Sequence, residues 1–218
     1  MVNKMIIRLG YVAISKALDI TSSGTITYTN YLKEENKNEK LDKIIKSNLE
    51  NLEKILNYNV KNNIHFYRLT SKLIPLATHK DVSFEYINKY KDYYNKISEI
   101  INKNNMRVDV HPDQFCVLNS TNKETINNSI EILKYHINIL EALKIKNSVI
   151  VLHTGSSVFG KEKSITRFIN NFNKLPDNIK NSIVIENDDK IYNARDVLNL
   201  CKKINRPMVL DYHHHICN

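Results

Sequence analysis

An α/β fold with a mostly parallel sheet is what this sequence predicts, and two patterns carry that reading. Short strand-like runs alternate with longer stretches whose apolar residues recur at three- and four-residue spacing. One run, Ser148-Val149-Ile150-Val151-Leu152-His153, has an unbroken apolar centre, which suits a strand buried on both faces. Parallel neighbours have to be joined by crossovers, and those crossovers are helices.

In order along the chain, Met5 to Tyr11 reads as a strand, followed by a polar Ser/Thr-rich connection from Thr21 to Thr29 that is longer than most connections. From Glu39, the positions Leu41, Ile44, Ile45, Leu49, Leu52, Ile55 and Leu56 form an amphipathic helix, and Ile64 to Leu69 switches to a strand. Ser83 to Lys103 predicts a helix with Phe84, Ile87, Tyr90, Tyr94, Ile97 and Ile101 on its apolar stripe; Met106 to Val110 is the next strand. Lys123 to Leu143 is a helix leading into the buried run that ends at His153. Glu162 to Phe172 is helical, Ile183 to Glu186 a strand, Ala194 to Ile204 a helix and Pro207 to Asp211 a final strand.

Composition bounds the rest. At 218 residues, one domain over residues 1–218 is expected, with a core formed by burying about 70% of the unfolded surface. Hydrophobic residues at 42% with only four Gly and four Pro exclude a repetitive fibre or a disordered linker. A net charge of +9 favours an anionic partner, nucleic acid being the commonest, although Lys and Asn are used so freely throughout that charge alone is weak evidence. Cys116, Cys201 and Cys217 form an odd set without a CxxC pair, which argues for a reducing compartment and incidental or buried thiols. No run of eighteen apolar residues and no secretory leader is recognisable, so the cytoplasm is expected and a membrane is not.

Polar residues gather where these strands end: His111-Pro112-Asp113-Gln114, then His153, then Glu186-Asn187-Asp188-Asp189, then Asp211-Tyr212-His213-His214. A doubly wound sheet and an eight-stranded barrel both place ligand groups beyond the carboxyl ends of strands, but a barrel brings every strand end around one site. Imidazoles and carboxylates from four ends fit a multi-metal site of the kind Zn and Mn accept. One such His would more often be a packed side chain; four ends in succession favour ligation. Glu186 in particular would face a large desolvation cost without a partner. Asp189, Asp113 and His213 stay open between ligand, cap and surface group. No P-loop, HExxH or GxSxG motif is present, and Thr154-Gly155-Ser156-Ser157 offers only a weak phosphate-cradle signal.

These segments, together with Arg8-Leu9-Gly10-Tyr11 and His65-Phe66-Tyr67-Arg68-Leu69-Thr70-Ser71-Lys72-Leu73-Ile74-Pro75 with His79 beyond it, resemble the UV damage endonuclease family from about residue 6 to the last residue. The resemblance implies a TIM (β/α) barrel of which about six of the eight βα units are present, the chain being truncated at its C-terminus relative to the family. It implies a metal-dependent endodeoxyribonuclease that cuts the backbone 5′ of pyrimidine dimers and 6-4 photoproducts in double-stranded DNA, monomeric when full length. His79, His111, His153, Glu186, Asp211 and His214 correspond to metal-binding positions, with Glu186, Asp211 and His111 the catalytic candidates. Up to three divalent ions are implied, manganese first, with zinc or magnesium as alternatives. Gln114 and Phe115 match a pair that enters the helix at the lesion, where many relatives carry Tyr as the second residue, and Tyr11 matches an aromatic beside the damaged bases. The family's further ligands, a histidine, a glutamate and a modified lysine, have no counterpart in this sequence, so the short form could be inactive. Alternatives are an abasic-site endonuclease or sugar isomerase of the same superfamily, or a non-catalytic DNA-binding protein.

Overall fold

The computed structural model describes residues 7–218 and shows an α/β fold with a six-stranded parallel sheet whose order follows the chain. Met5 and Ile6 of the first expected strand lie outside the described residues. The chain divides into two compact units, the first running through Asp109 and including Leu140–Lys146, the second comprising Val110–Ile139 and Asn147–Asn218.

In the first unit, β1 (Gly10–Val12) lies parallel to β2 (Phe66–Leu69), and Phe66 N–H donates to the Leu9 carbonyl just before β1. Arg107 N–H, at the start of β3 (Arg107–Val110), donates to the carbonyl of His65. The long helix α2 (Lys37–Lys61) packs on α4 (Lys91–Lys103), burying Ile45, Leu49, Leu52, Ile55 and Leu56 on one side and Tyr94 and Ile97 on the other. The predicted stripe is therefore the helix interface. Two expectations are corrected here. The polar connection after β1 is not loop to its end, because Thr27 caps a short helix, α1 (Tyr28–Lys33), by accepting Asn30 N–H. The single helix expected over Ser83–Lys103 is two, α3 (Tyr86–Lys89) and α4, broken at Tyr90, whose buried ring anchors the junction by donating its hydroxyl to Asp42 at 2.9 Å.

In the second unit, α5 (Lys123–Ala142, its last residues belonging to the first unit) precedes β4 (Ile150–His153). α6 (Lys161–Phe172) and a short helix that periodicity did not reveal, α7 (Asp177–Ser182), lead to β5 (Ile183–Glu186). α8 (Ala194–Ile204) precedes β6 (Met208–Val209), and α9 (Tyr212–Cys217) follows. β5 is buried along its whole length and β4 up to Leu152, as parallel strands covered on both faces should be. α8 is bounded as expected because Asn193 and Asp196 form a reciprocal capping box at its start and Asn205 adopts a left-handed conformation at its end. The last strand is shorter than expected: Asp211 is the N-cap of α9, not a strand residue. Among the described residues, no helix is long and apolar enough to cross a membrane.

Candidate metal centre

Strand register builds the centre. β4 and β5 are paired so that Ile150 meets Ile183 and, three residues on, His153 meets Glu186; Glu186 in turn lies beside Val209 of β6. In parallel strands, residues that share a register level and a face stand side by side. His111 enters from the end of β3, whose Val110 lies beside Ile150.

The result is a compact donor set. His111, His153 and Glu186 each offer one ligand atom, all within 4.8 Å of one another. Nε2 of His111 lies 3.0 Å and Nε2 of His153 3.3 Å from the same carboxylate oxygen, Oε2 of Glu186, which is only 4% exposed. The His153 ring also lies against the rings of His111 and His214, with centroids 4.9 and 5.7 Å away. Asp211 stands one helical turn before His214; its Oδ1 accepts His214 N–H at 2.9 Å, the main cause holding the Asp211 carboxyl below its ordinary range and hence ionised.

Whether these groups suit a cation can be read from their protons. Nδ1 of His111 is 2.8 Å from the Pro112 carbonyl, which can only accept, so Nδ1 carries the proton. In the neutral ring, Nε2 then presents a lone pair to a carboxylate. Burial, followed by the nearby His111, holds the His153 imidazole below its usual range, so that ring favours its neutral form, and its Nδ1 is buried without a hydrogen-bond partner. The Nε2 lone pair of a neutral His111 ring meets an anionic oxygen, and a divalent cation between them would turn that repulsion into attraction. The donor set fits such an ion, with nitrogen and carboxylate ligands of the type borderline-soft metals take.

The other expected residues fall as follows. Gln114 and Phe115 are exposed on the turn after β3, Phe115 by 70%; Asp113 accepts Phe115 N–H at 2.9 Å through Oδ1, so it is a turn-forming group, and the buried Cys116 anchors the turn from below. Asp189 and His213 are exposed. In the first unit, Tyr11 donates its hydroxyl to Asn59 at 2.8 Å, and the His79 ring stacks on Tyr28 with centroids 3.9 Å apart. Tyr28 was hidden in a connection without periodicity, and no sequence signal singled it out. Asp188, part of the polar run after β5, turns out to be a loop-forming group: its carboxylate accepts the N–H groups of Lys190, Ile191 and Tyr192. Asn119 braces the loop after β4, pairing with both N–H and C=O of Ser156. All three cysteines are free, and burial pushes the Cys116 thiol up to about 12 and that of Cys201 to about 11, which leaves both unreactive.

A parallel α/β sheet carrying histidines and a buried glutamate at its strand ends defines a candidate metal-binding protein of the α/β class. Residues 7–218 match the family described as UV-endonuclease UvdE. A UV DNA damage endonuclease of Bacillus cereus (strain B4264) is 40% identical over 218 residues, covering 98% of this chain and 69% of that protein. The one from Bacillus mycoides (strain KBAB4) is 41% identical with the same coverage. The crystal structure of SacUVDE superposes with a TM-score of 0.92 at 37% identity, over 98% of this chain and 72% of that one. A D-psicose 3-epimerase from Clostridium cellulolyticum H10 shares the fold alone, at 11% identity and a TM-score of 0.54 over 74% of this chain and 58% of its own. The chain belongs to the UV-endonuclease UvdE family, and with the His111–His153–Glu186 cluster it is a metal-dependent DNA repair endonuclease.

Proposed function

We propose that the chain nicks double-stranded DNA immediately 5′ of pyrimidine dimers and 6-4 photoproducts, with manganese as the native ion and zinc or magnesium as substitutes. The observation that carries the reading is the approach of two imidazole nitrogens to one buried carboxylate oxygen, in a chain of this family. The parallel strands, taken in chain order, are part of a (β/α) barrel, and the reducing compartment suggested by free thiols is the cytoplasm.

In the second unit, Glu186 and Asp211 would supply the anionic ligands and His111, His153 and His214 the neutral ones; His79, in the first unit, is read as a further ligand from the family resemblance alone. A divalent ion, when bound, would supply Lewis acidity toward a phosphate oxygen and toward an attacking water. The chain's own groups orient the reaction. The Pro112 carbonyl fixes the proton on Nδ1 of His111, so Nε2 faces inward. Glu186 keeps its position because its strand is buried on both sides.

Lesion choice rests on deformability. A damaged step is already poorly stacked, so inserting side chains there costs less than in intact duplex. Phe115, exposed on a turn that Asp113 holds rigid, is suited to enter the helix with Gln114, while Tyr11 contacts the damaged bases. Lysines around the site contact phosphates without reading sequence, which makes affinity fall with salt.

Nicking of UV-irradiated, abasic and intact duplexes with manganese tests this, using the parent chain and Glu186→Gln. The parent is expected to nick the irradiated duplex and to stop when a chelator is added; Glu186→Gln is expected to lose nicking while keeping most of its binding to irradiated DNA. Nicking by Glu186→Gln at the parent rate would remove Glu186 from the centre, and a preference for the abasic duplex would move the substrate class.

A further inference from the structure

Asn187 is fully buried directly after Glu186, at the point where β5 gives way to its loop. Its side chain clasps the main chain of Asp211, 24 residues away: Oδ1 accepts Asp211 N–H at 2.8 Å and Nδ2 donates to the Asp211 carbonyl at 3.0 Å. Its own carbonyl oxygen lies 2.9 Å from Nδ1 of His214. One residue therefore holds the backbone of one proposed ligand and the ring of another.

We infer that Asn187 is a positioning residue, whose side-chain clasp on Asp211 and carbonyl contact with His214 set both for a divalent cation. The inference rests on the reading of Asp211 and His214 as ligands. A carbonyl oxygen can only accept, so Nδ1 of His214 carries a proton, which in the neutral tautomer puts the lone pair on Nε2, and the ring cannot rotate without losing that bond. Ligating histidines are commonly fixed in this way, by a carbonyl on the nitrogen that does not bind the metal.

The side-chain clasp complements this. The pairing of β5 with β6, Ile185 beside Met208 and Glu186 beside Val209, ends there, and the amide of Asn187 extends it. Its one acceptor and one donor match the N–H and C=O of Asp211, as a backbone unit would. No other side chain of this length offers both; Asp would set a second oxygen against the Asp211 carbonyl, and Leu would leave the two main-chain groups unbonded. With Asp211 held, its Oδ1 stays under His214 N–H and the first turn of α9 starts at a fixed place.

The experiment is manganese titration of the 218-residue chain, followed by the electron paramagnetic resonance of free ion, for the parent, Asn187→Ala, His214→Ala and the double variant, each checked for folding by circular dichroism. Asn187→Ala is expected to weaken binding about 10–100-fold, the usual loss when a group orienting a ligand is removed. The double variant is expected to be little weaker than His214→Ala, since the two changes remove one shared arrangement. If His214→Ala weakens binding and Asn187→Ala does not, the inference is overturned and the ligand reading stands. If His214→Ala leaves binding unchanged, the ligand reading falls and takes the inference with it. Should Asn187→Ala fail to fold, the parent decides: nitrogen chemical shifts of metal-free protein are expected to show His214 protonated on Nδ1, and a proton on Nε2 instead overturns the inference.

Discussion

Gly155, two residues beyond His153, has φ of +101°, and a Cβ placed there would lie 2.6 Å from Oδ1 of Asn119 and 2.7 Å from Cγ1 of Val117. Gly155→Ala therefore meets two separate costs. An L-residue at this φ carries strain of about 1–3 kcal/mol. Displacing Asn119, which is fully buried, also disrupts its bonds to Ser156 N–H and C=O at 3.1 and 2.6 Å. Each is worth about 1 kcal/mol net, and more if a group is left buried without a partner. The total is about 3–5 kcal/mol, which for a chain of this size lowers Tm by roughly 6–20 °C. Scanning calorimetry of Gly155→Ala, Asn119→Ala and the double variant measures it. In the double variant the Asn119 clash is gone while the φ strain and the Val117 contact remain, so the two changes should cost less together than separately. A Tm loss below about 3 °C for Gly155→Ala, or strict additivity in the cycle, would refute the reasoning.

Two further perturbations follow from buried groups. Burial holds the His136 imidazole down to about 3, the nearby His111 adding to this, so below the unfolded value of 6.5 the unfolded chain binds a proton that the folded one refuses. The contribution is complete above pH 6.5 and is lost as pH falls toward 3. Between pH 6.5 and 5 it amounts to roughly 1.5–2 kcal/mol, and urea titrations of the parent against His136→Gln should differ in slope over that range, with equal slopes counting against the burial argument. Arg68→Ala strips Asp109, 1% exposed, of a guanidinium whose Nε lies 2.9 Å from Oδ1. Asp109 keeps a further interaction, so a loss of about 1.5–3 kcal/mol in unfolding free energy is expected, and removal of Asp109 as well should recover part of it; a loss under 1 kcal/mol would mean that the pair is solvated.

Much of this molecule was legible beforehand because burial writes itself into periodicity. The stripe from Leu41 to Leu56 became the α2 face against α4, and the apolar run into His153 became a strand covered on both sides. Breaks were harder to read. Tyr90 fits the helical stripe on both sides of it, and only the hydroxyl bond to Asp42, a residue 48 positions away, fixes it as a junction between two helices. Asp211 looked like the last residue of a strand because an N-cap and a strand end share extended backbone. At the site, His111, His153 and Glu186 could be singled out because charge following an apolar strand is costly without a purpose. Tyr28, Asn119 and Asn187 could not: amides and rings that act by bonding to main chain are not distinguished in composition from the many Asn and Tyr of this chain.

The pairing of His153 with Glu186 has a consequence for how this protein can vary. Its cluster is inherited from the alignment of two rods, so connecting segments can lengthen, shorten or drift without disturbing it. A single residue deleted inside β5 has the opposite effect: the strand's faces exchange, and an otherwise faithful copy of the sequence would turn its glutamate away from both histidines.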